Sequence, residues 1–412
     1  MNPGTFVMGG GGAGGGKGGR RGGRGGKGGG KGGDGQGEGA SGGGKNAGAC
    51  GPGSGGGCPN PSHGKAGGTS AGDPVDPITG RVYTIATIDL ALPGPLPLVV
   101  ARSYSSDRRD EDVGLGFGWS HSLAWQVHAS RRSVRVFDPL AAVTEAPLPN
   151  VGEPLDLPGG RLTRTAWGWL LATGGLVRVF DQAQGKRWLL GAVVDRHGNR
   201  IALQYDDGGR LALVVDSAGR VVRVRRAPDG RIGAFEVAHP SGHGGWSFRS
   251  YRYDAEGDLV GAADALGHEE RFAYDAHRLM RRDEPGGLAA HFRYDQAERC
   301  VEAWCERPGN DALDEGVPTT LAGGDRPAKG FLHVALEYSD DELYSEVRNS
   351  RTVLRLEGNA LDKADTIVWA GAPHRYTYDG AGRVLGYTDA RQNTWAYARD
   401  DDGRLLAVTD PL

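Results

Sequence analysis

The sequence predicts an all-β fold built from stacked hairpin units, and three observations support this. A Tyr-Asp pair followed by Gly-Arg and an aliphatic residue recurs in the second half of the chain, with steps of 21 residues from Asp254 to Asp275 and 20 from there to Asp295. Short stretches of alternating apolar residues are separated by turns rich in Gly, Asp and Asn. No sustained 3.6-residue apolar stripe is present. Units of this size cannot bury their apolar faces alone, so they must stack.

Each residue type of the repeat has a structural interpretation. Asp can accept hydrogen bonds from the turn backbone, and Gly can adopt a positive φ. Tyr can seal one unit against the next, and Arg can stack on that ring or pair with a neighbouring Asp. The predicted structural repeat residues are Tyr205, Asp206, Arg210, Tyr253, Asp254, Tyr274, Asp275, Tyr294, Asp295, Tyr378, Asp379, Gly382, Arg383, Gly403 and Arg404.

Two further features extend this pattern. Arg399-Asp400 opens a degenerate unit, and a second Asp turn follows the first by ten residues in several units, as from Asp206 to Asp216. The 84 residues from Asp295 to Asp379 lack clear copies but equal four periods of 21. We therefore expect either degenerate units in this gap or a chance multiple.

The first 72 residues predict a disordered, Gly-rich, basic leader, because about half of them are glycine and they offer almost no apolar surface to bury. Arg20 to Lys27 resembles an RGG segment, which leaves nucleic-acid binding through the leader as an alternative function. The net charge of −3 argues against nucleic-acid binding by the rest of the chain. No cleaved signal peptide and no membrane span are predicted.

Two further domains are predicted, a β domain over 73–150 and the repeat region over 151–412, which ends in mid-repeat. Within the first, strands are predicted from Val82 to Ile88, Leu98 to Tyr104, Trp119 to His128 and Ser133 to Phe137. The Pro- and Gly-rich stretch 140–160 is expected to join two substructures.

No motif supports catalysis or a cofactor. Gly11 to Lys17 spaces its residues like a phosphate loop, but Gly18 stands where Ser or Thr must bind magnesium. Cys50, Cys58 and His63 are weak metal candidates without a fourth ligand. The four cysteines are too scattered for a disulfide framework. The sequence therefore predicts a protein that is not an enzyme.

Two parts of the chain resemble a known protein family. The Tyr-Asp-x-x-Gly-Arg units resemble the YD repeats of RHS proteins. Residues 81–127 resemble the DUF6531 domain that precedes such repeats in bacterial RHS proteins, through Gly114-Leu115-Gly116-Phe117-Gly118-Trp119-Ser120 above all. Asp73 to Gly80 is similar to the start of that domain.

The resemblance implies a β-ribbon spiral, here part of an RHS-type shell. In polymorphic toxin systems such a shell encloses a C-terminal toxin, commonly delivered by a type VI secretion machine. In that family the shell ends in a conserved core with a self-cleaving Asp-Pro motif, which a toxin follows. The chain is expected to be truncated and to lack both, because its Asp410-Pro411 resembles another repeat turn rather than that motif.

We therefore expect a non-enzymatic shell segment that holds a cargo. Its expected partners are further repeats or a second chain at an open C-terminal sheet edge, a toxin cargo and the secretion apparatus. The expected location is cytoplasmic before export, then secreted or on the cell surface without a cleaved signal. A surface or carbohydrate-binding module is the alternative from another class.

Overall fold

The computed structural model describes residues 70–72, 74–139, 143–241, 243–307, 319–380, 382–400 and 403–411. The expected all-β fold is confirmed over these residues, which form 29 strands and one short 3-10 helix, Ser106–Arg108. Nearly all of the leader expected over 1–72 lies outside the described residues. The boundary expected near residue 150 stays a prediction.

A small antiparallel sheet lies near the start of the described chain. It contains β1 (Thr87–Leu92), β2 (Leu98–Tyr104) and β3 (Trp119–His121), in that order. We call the described residues from 70 to 125, which include this sheet, the cover.

All the other strands belong to one large antiparallel sheet, which we call the ribbon. Its first strands are β4 (Gln126–Ala129), β5 (Ser133–Phe137), β6 (Val143–Pro147), β7 (Pro154–Leu157), β8 (Gly160–Arg164), β9 (Trp169–Thr173), β10 (Leu176–Gln184), β11 (Arg187–Asp195), β12 (Arg200–Tyr205), β13 (Leu211–Val215), β14 (Val221–Arg226), β15 (Ile232–Ala238) and β16 (Gly245–Tyr253).

The ribbon continues through β17 (Leu259–Asp264), β18 (Glu269–Asp275), β19 (Arg278–Asp283), β20 (Ala289–Tyr294), β21 (Cys300–Glu306), β22 (Phe331–Tyr338), β23 (Tyr344–Asn349), β24 (Val353–Gly358), β25 (Ala364–Trp369), β26 (Ala372–Tyr378), β27 (Val384–Thr388), β28 (Thr394–Arg399) and β29 (Leu405–Thr409). From β7 onward each strand pairs with its sequence neighbours, so the turns alternate between two edges.

The ribbon branches at β11. Along one edge β11 pairs with β10; along the other it pairs first with β4, at Arg187–Leu189, and then with β12, at Ala192–Val194. Strand β29 pairs with β28 alone among the described strands. The pairings therefore define an open ribbon with a side branch of β4, β5 and β6.

A β-bulge recurs where the Tyr of each unit sits. In the pair of β12 with β13, Gln204 faces Leu213 while Tyr205 faces Leu211, which leaves Ala212 as the extra residue. Equivalent shifts occur at Tyr253, Tyr274, Tyr294 and Tyr378. Each bulge adds bend and twist to its strand. Because the bulges recur at the same point of successive units, they bend the ribbon repeatedly in one sense.

Three local expectations differ from the structure. The strand expected from Val82 to Ile88 does not form: Val82 and Tyr83 make only isolated bridges, and β1 begins at Thr87. The stretch expected to be one strand from Trp119 to His128 is two strands that belong to different sheets, since β3 lies in the cover and β4 in the ribbon. The stretch 140–160, expected to be a connector, contains β6 and β7. Pro147 is the last residue of β6 and Pro154 is the first of β7, strand-end positions at which proline is tolerated.

The gap between Asp295 and Asp379 holds degenerate units, in three steps rather than four. The turns on the same edge begin at Asp295, Ser339, Asn359 and Asp379, so the steps are 44, 20 and 20 residues. The long step includes the segment between β21 and β22. The separation of 84 residues between Asp295 and Asp379 therefore comes from three units, one of which contains an insertion, and not from four units of 21.

Candidate functional site

The Tyr of each unit ties that unit to the one before it. The hydroxyl of Tyr274 donates to the carbonyl of Leu259 over 2.8 Å, and the hydroxyl of Tyr294 donates to Leu279 over 2.9 Å. The other tyrosines make the same bond: Tyr205 to Leu190, Tyr253 to Ile232, Tyr338 to Cys300 and Tyr378 to Ala364. Burial raises the pKa of Tyr274, so its hydroxyl stays protonated and can donate.

Arginine replaces Tyr in two degenerate units. Arg226 donates to the carbonyl of Leu211, and Arg399 donates to Val384 over 3.4 Å. Both bonds span 15 residues, as the bond from Tyr274 does. The unit at Arg226-Ala227 and the unit at Tyr338 lack the Tyr-Asp pair, which is why the sequence pattern missed them.

The Asp of each unit organises a five-residue turn. In the turn after β12, Asp206 accepts the backbone N–H of Arg210 on Oδ1 and its guanidinium, over 3.0 Å, on Oδ2. Gly209 donates back to the carbonyl of Asp206 and has φ +72°. Asp295 with Arg299, Asp379 with Arg383 and Asp216 with Arg220 repeat the carboxylate–arginine contact. Gly382 and Gly403 take the positive-φ place, at +72° and +82°.

Two units depart from this turn. After Asp254 the Arg position is Asp258, which binds Nδ1 of His277 over 2.8 Å. After Asp275 the turn is one residue shorter, with Ala276 and His277 at φ +48° and +64°. In the last turn Arg404 lies 3.8 Å from Asp400.

Arginines also contact the Tyr of the following unit. The guanidinium of Arg231 lies 5.7 Å from the ring centre of Tyr253, and that of Arg299 lies 4.5 Å from Tyr338. Such cation–π contacts are stronger when the ring is partly buried. The repeat residues therefore bond with one another and with the backbone, which is a structural and not a catalytic arrangement.

The cover lies on the apolar inner face of the ribbon and contacts successive units. The hydroxyl of Tyr104 donates to the carbonyl of His277 and accepts the N–H of Leu279, each over 2.9 Å. Nε1 of Trp119 donates to the hydroxyl of Tyr274 over 2.7 Å. Cover and ribbon therefore share one core, in which Tyr104 and Trp119 are buried.

A buried charge cluster fastens the cover to the ribbon. Asp89 and Arg102, both on the cover, are fully buried and form an ion pair. Arg102 also contacts Glu270 of β18, and Asp89 accepts from the hydroxyl of Tyr251 over 2.6 Å and lies 2.9 Å from Arg249. A buried charge that loses its partner is costly, so this cluster strongly favours one position of the cover.

A second buried carboxylate, Glu302 on β21, holds the segment before β22. It accepts from Lys329 over 2.8 Å, from Arg293 over 2.7 Å and from Nε2 of His333 over 2.9 Å, and it also contacts Arg326. These donors lower the pKa of Glu302 to about 2 against the opposing effect of burial. The N–H of Lys329 donates to Nδ1 of His333, which assigns the proton of the neutral ring to Nε2.

Beyond the cover, the inner face of the ribbon carries three aromatic residues, of which Tyr387 is buried and the other two are half-buried. Tyr376 faces Tyr387, and Tyr387 faces Trp395, across β26, β27 and β28. Their ring centres lie 5.1 Å and 5.2 Å apart. We call these three residues the aromatic row. On the same face of β29, Leu405 and Val408 are 51% and 50% exposed, so the apolar face continues past the end of the cover.

An apolar pocket lies between the start of the described chain and this row. Its walls are Ser70, Ala71 and Pro77 of the cover and, from the ribbon, Val347, Leu354, Leu356, Ile367, Trp369, His374 and Tyr376. Apolar pockets with a few polar groups in their walls are common sites of bound small molecules. We call it the N-terminal pocket.

The metal candidates Cys50, Cys58 and His63 lie outside the described residues. In the part of the chain that the structure does describe, no three His, Cys, Asp or Glu side chains come together as metal ligands. Cys300 and Cys305 are buried, and burial raises the pKa of the Cys300 thiol to about 12.

Comparison with known proteins gives the family. A model described as "Domain of unknown function (DUF6531)" matches residues 72–144, and a model of the RHS repeat matches residues 375–412. The chain therefore carries a DUF6531 domain and RHS repeats. The first match covers most of the cover and the start of the ribbon, and the second covers its last described strands.

Relatives of this RHS-repeat protein include proteins named as toxins. It is 30% identical over 234 residues to "Probable deoxyribonuclease RhsB" of Dickeya dadantii, covering 53% of this chain and 15% of that protein. It is 31% identical over 172 residues to "Toxin protein Tse5" of Pseudomonas aeruginosa, covering 40% and 11%. The chain therefore spans only a small part of the length of these relatives.

Among solved structures, the chain is similar to one titled as the Tc holotoxin pore of Photorhabdus luminescens. The TM-score is 0.34 with 12% identity, covering 78% of this chain and 20% of the other. Because this TM-score is low, the fold is assigned from the protein's own strand pairings and not from the comparison. None of its described elements is a helix long and apolar enough to cross a bilayer.

Proposed function

We propose that this chain is a non-enzymatic wall segment of an RHS-type shell that encloses a cargo for delivery. One observation carries the proposal: a continuous ribbon turns an apolar face inward, and this face extends past the cover onto β26–β29. An apolar face of this extent needs more polypeptide against it than the described chain supplies.

The use of polar groups in the repeats supports a mechanical role. Tyr hydroxyls donate to carbonyls of the preceding unit, and Asp carboxylates accept the turn N–H groups and Arg side chains. Catalytic groups need free, convergent side chains near a reacting centre. Here the recurring polar groups are used to hold the wall together.

The names of the relatives support a toxin-associated setting. RhsB is named a probable deoxyribonuclease, Tse5 a toxin protein, and a third relative, of Burkholderia cenocepacia, a double-stranded DNA deaminase toxin; that relative is 29% identical and matches over 16% of its length. We propose that the cargo is a toxin polypeptide and that the shell leaves the cell through a secretion apparatus without a cleaved signal.

Protease protection tests the shell. The chain would be co-produced with the polypeptide encoded directly after it in its gene neighbourhood, and the purified material digested with a protease. We expect that polypeptide to resist digestion while the ribbon is folded and to be cut once urea unfolds it. An unrelated polypeptide of equal length, co-produced in the same way, is the control.

Equal digestion of both polypeptides with the ribbon folded would contradict the proposed shell. Binding to a glycan array, with no protection of the neighbouring polypeptide, would favour a carbohydrate-binding module instead.

A further inference from the structure

A small polar cavity lies within the cover. Its walls include Arg81, Ser103, Arg108 and Ser120, and apart from the two arginines every wall residue is buried. The centre of a water molecule can occupy about 10 Å³ of this space. One internal water needs roughly that volume, together with two to four polar partners. The cavity is therefore large enough for a single small polar molecule.

The hydroxyl of Ser120 indicates that such a molecule is bound. Ser120 is 2% exposed and lies on β3, directly opposite Ser103 of β2. Side chains paired in this way project from the same face of a sheet, so the two serines can share one ligand. Oγ of Ser120 forms no hydrogen bond with any residue that the structure describes. Because a buried hydroxyl without a partner is costly, we expect its partner in the cavity.

Arg81 supplies a further polar group to the same cavity. Its side chain is only 10% exposed, and its guanidinium lies 3.9 Å from the carboxylate of Asp76 and 3.8 Å from that of Asp107. Both distances exceed that of a direct hydrogen bond. The guanidinium can therefore donate to a molecule in the cavity.

Charge and size decide which molecule fits. The two carboxylates near Arg81 balance its charge, and Arg108 donates to Glu111 over 2.7 Å and 2.9 Å. An anion would therefore meet no unbalanced positive charge, and the cavity is too small for a sulfate or a phosphate. A water molecule is neutral, has the right size and can both donate and accept.

We propose that the cavity binds one internal water molecule, which accepts from the guanidinium of Arg81 and forms hydrogen bonds with the hydroxyls of Ser120 and Ser103. The water links the chain that precedes β1 to β2 and β3. It also gives a task to Ser120 in the Gly-Phe-Gly-Trp-Ser stretch. The inference concerns the cover and does not depend on the proposed shell.

A crystal structure of the full chain, grown with bromide in place of chloride, tests the inference. We expect one water about 2.8 Å from Oγ of Ser120 and within hydrogen-bond distance of the guanidinium of Arg81. We expect no anomalous signal of bromide in the cavity. An empty cavity would overturn the inference, and so would a bromide ion, because that result assigns the site to an anion.

Ser120→Val tests the same inference in solution. Its two methyl groups replace the hydroxyl and fill part of the cavity, so the water should be expelled. Oxygen-17 relaxation dispersion, which counts long-lived internal waters, should then find one fewer than in the natural chain. An equal count in the two proteins would overturn the inference.

Ser122→Ala is the matched control. The hydroxyl of Ser122 donates to the carbonyl of Val99 over 2.8 Å and accepts the N–H of Ala101 over 3.1 Å. Its partners are thus protein atoms, and its loss should leave the number of internal waters unchanged. If Ser120→Val fails to fold, the crystal structure of the natural chain decides the question by itself.

Discussion

At the level of single residues, Tyr274 differs from the other repeat tyrosines in making two buried hydrogen bonds. Its hydroxyl donates to Leu259 and accepts from Nε1 of Trp119, whereas Tyr378 has the single bond to Ala364. The sequence pattern treats the two residues as equivalent. The difference arises from the cover, which reaches Tyr274 and not Tyr378.

Tyr→Phe substitutions should expose this difference. Tyr378→Phe should lower the free energy of unfolding by about 1 kcal/mol, since one hydrogen bond is lost. Tyr274→Phe should lower it by about 2 kcal/mol, because a buried indole N–H is left without its acceptor as well. Urea unfolding of both variants measures the losses. Equal losses would show that the bond from Trp119 adds nothing.

Two equivalent turns offer a second test at this scale. Gly267 and Gln392 occupy the same place in the turns after Asp264 and Asp389, with φ +84° and +69°. An L side chain at such a φ is strained by about 1 kcal/mol. Gly267→Ala, whose added Cβ meets no other atom, should therefore destabilise by about that amount.

Gln392→Gly should stabilise by about 0.5 kcal/mol, because relief of strain outweighs the greater freedom of Gly in the unfolded chain. Thermal unfolding of the two variants provides the measurement. A loss of stability in Gln392→Gly would mean that the side chain itself contributes to the turn.

At the level of elements, the sequence predicted the positions of several strands but not the sheets to which they belong. Strands were expected at Leu98–Tyr104 and Ser133–Phe137, and β2 and β5 have these bounds. Alternating apolar residues and turn chemistry are local properties, so they can be read locally. The division of Trp119–His128 between two sheets depends on partners distant in sequence, which no local pattern records.

The segment before β22 should detach in acid. The pKa of Glu302 is lowered to about 2 in the folded protein from 4.5, so its stabilising effect is complete above pH 4.5 and is lost as the pH falls toward 2. Glu302→Gln should lower stability at neutral pH and flatten this part of the pH profile. Urea unfolding at several pH values checks both effects.

Glu256→Gln, on an exposed turn, is the matched control and should leave the profile unchanged. An unaltered pH profile in Glu302→Gln would mean that the four donors around this carboxylate do not determine its protonation.

At the scale of the whole molecule, cover and ribbon are joined by the cluster of Asp89, Arg102 and Glu270. Asp89→Asn removes the charge between Arg102, which is fully buried, and Arg249, which is partly buried, and should destabilise by about 3 kcal/mol or more. Because the two parts share one core, unfolding should remain a single transition at a lower temperature. Calorimetry is the measurement.

Asp156→Asn, in an exposed ion pair with Arg161, serves as the control and should leave the midpoint unchanged. Two separate transitions in Asp89→Asn would show that the cover and the ribbon unfold independently.

The sequence by itself determined the all-β class, the repeat and the family, because period, turn residues and apolar alternation are local and recurrent. It also assigned Tyr, Asp, Gly and Arg to structural tasks. The tertiary structure alone decided that the cover lies on the inner face, that Arg226 and Arg399 act in place of Tyr, and that Glu302 and Asp89 are buried among cations. These features depend on which residues meet across large separations in sequence, such as the 175 positions between Tyr104 and Leu279.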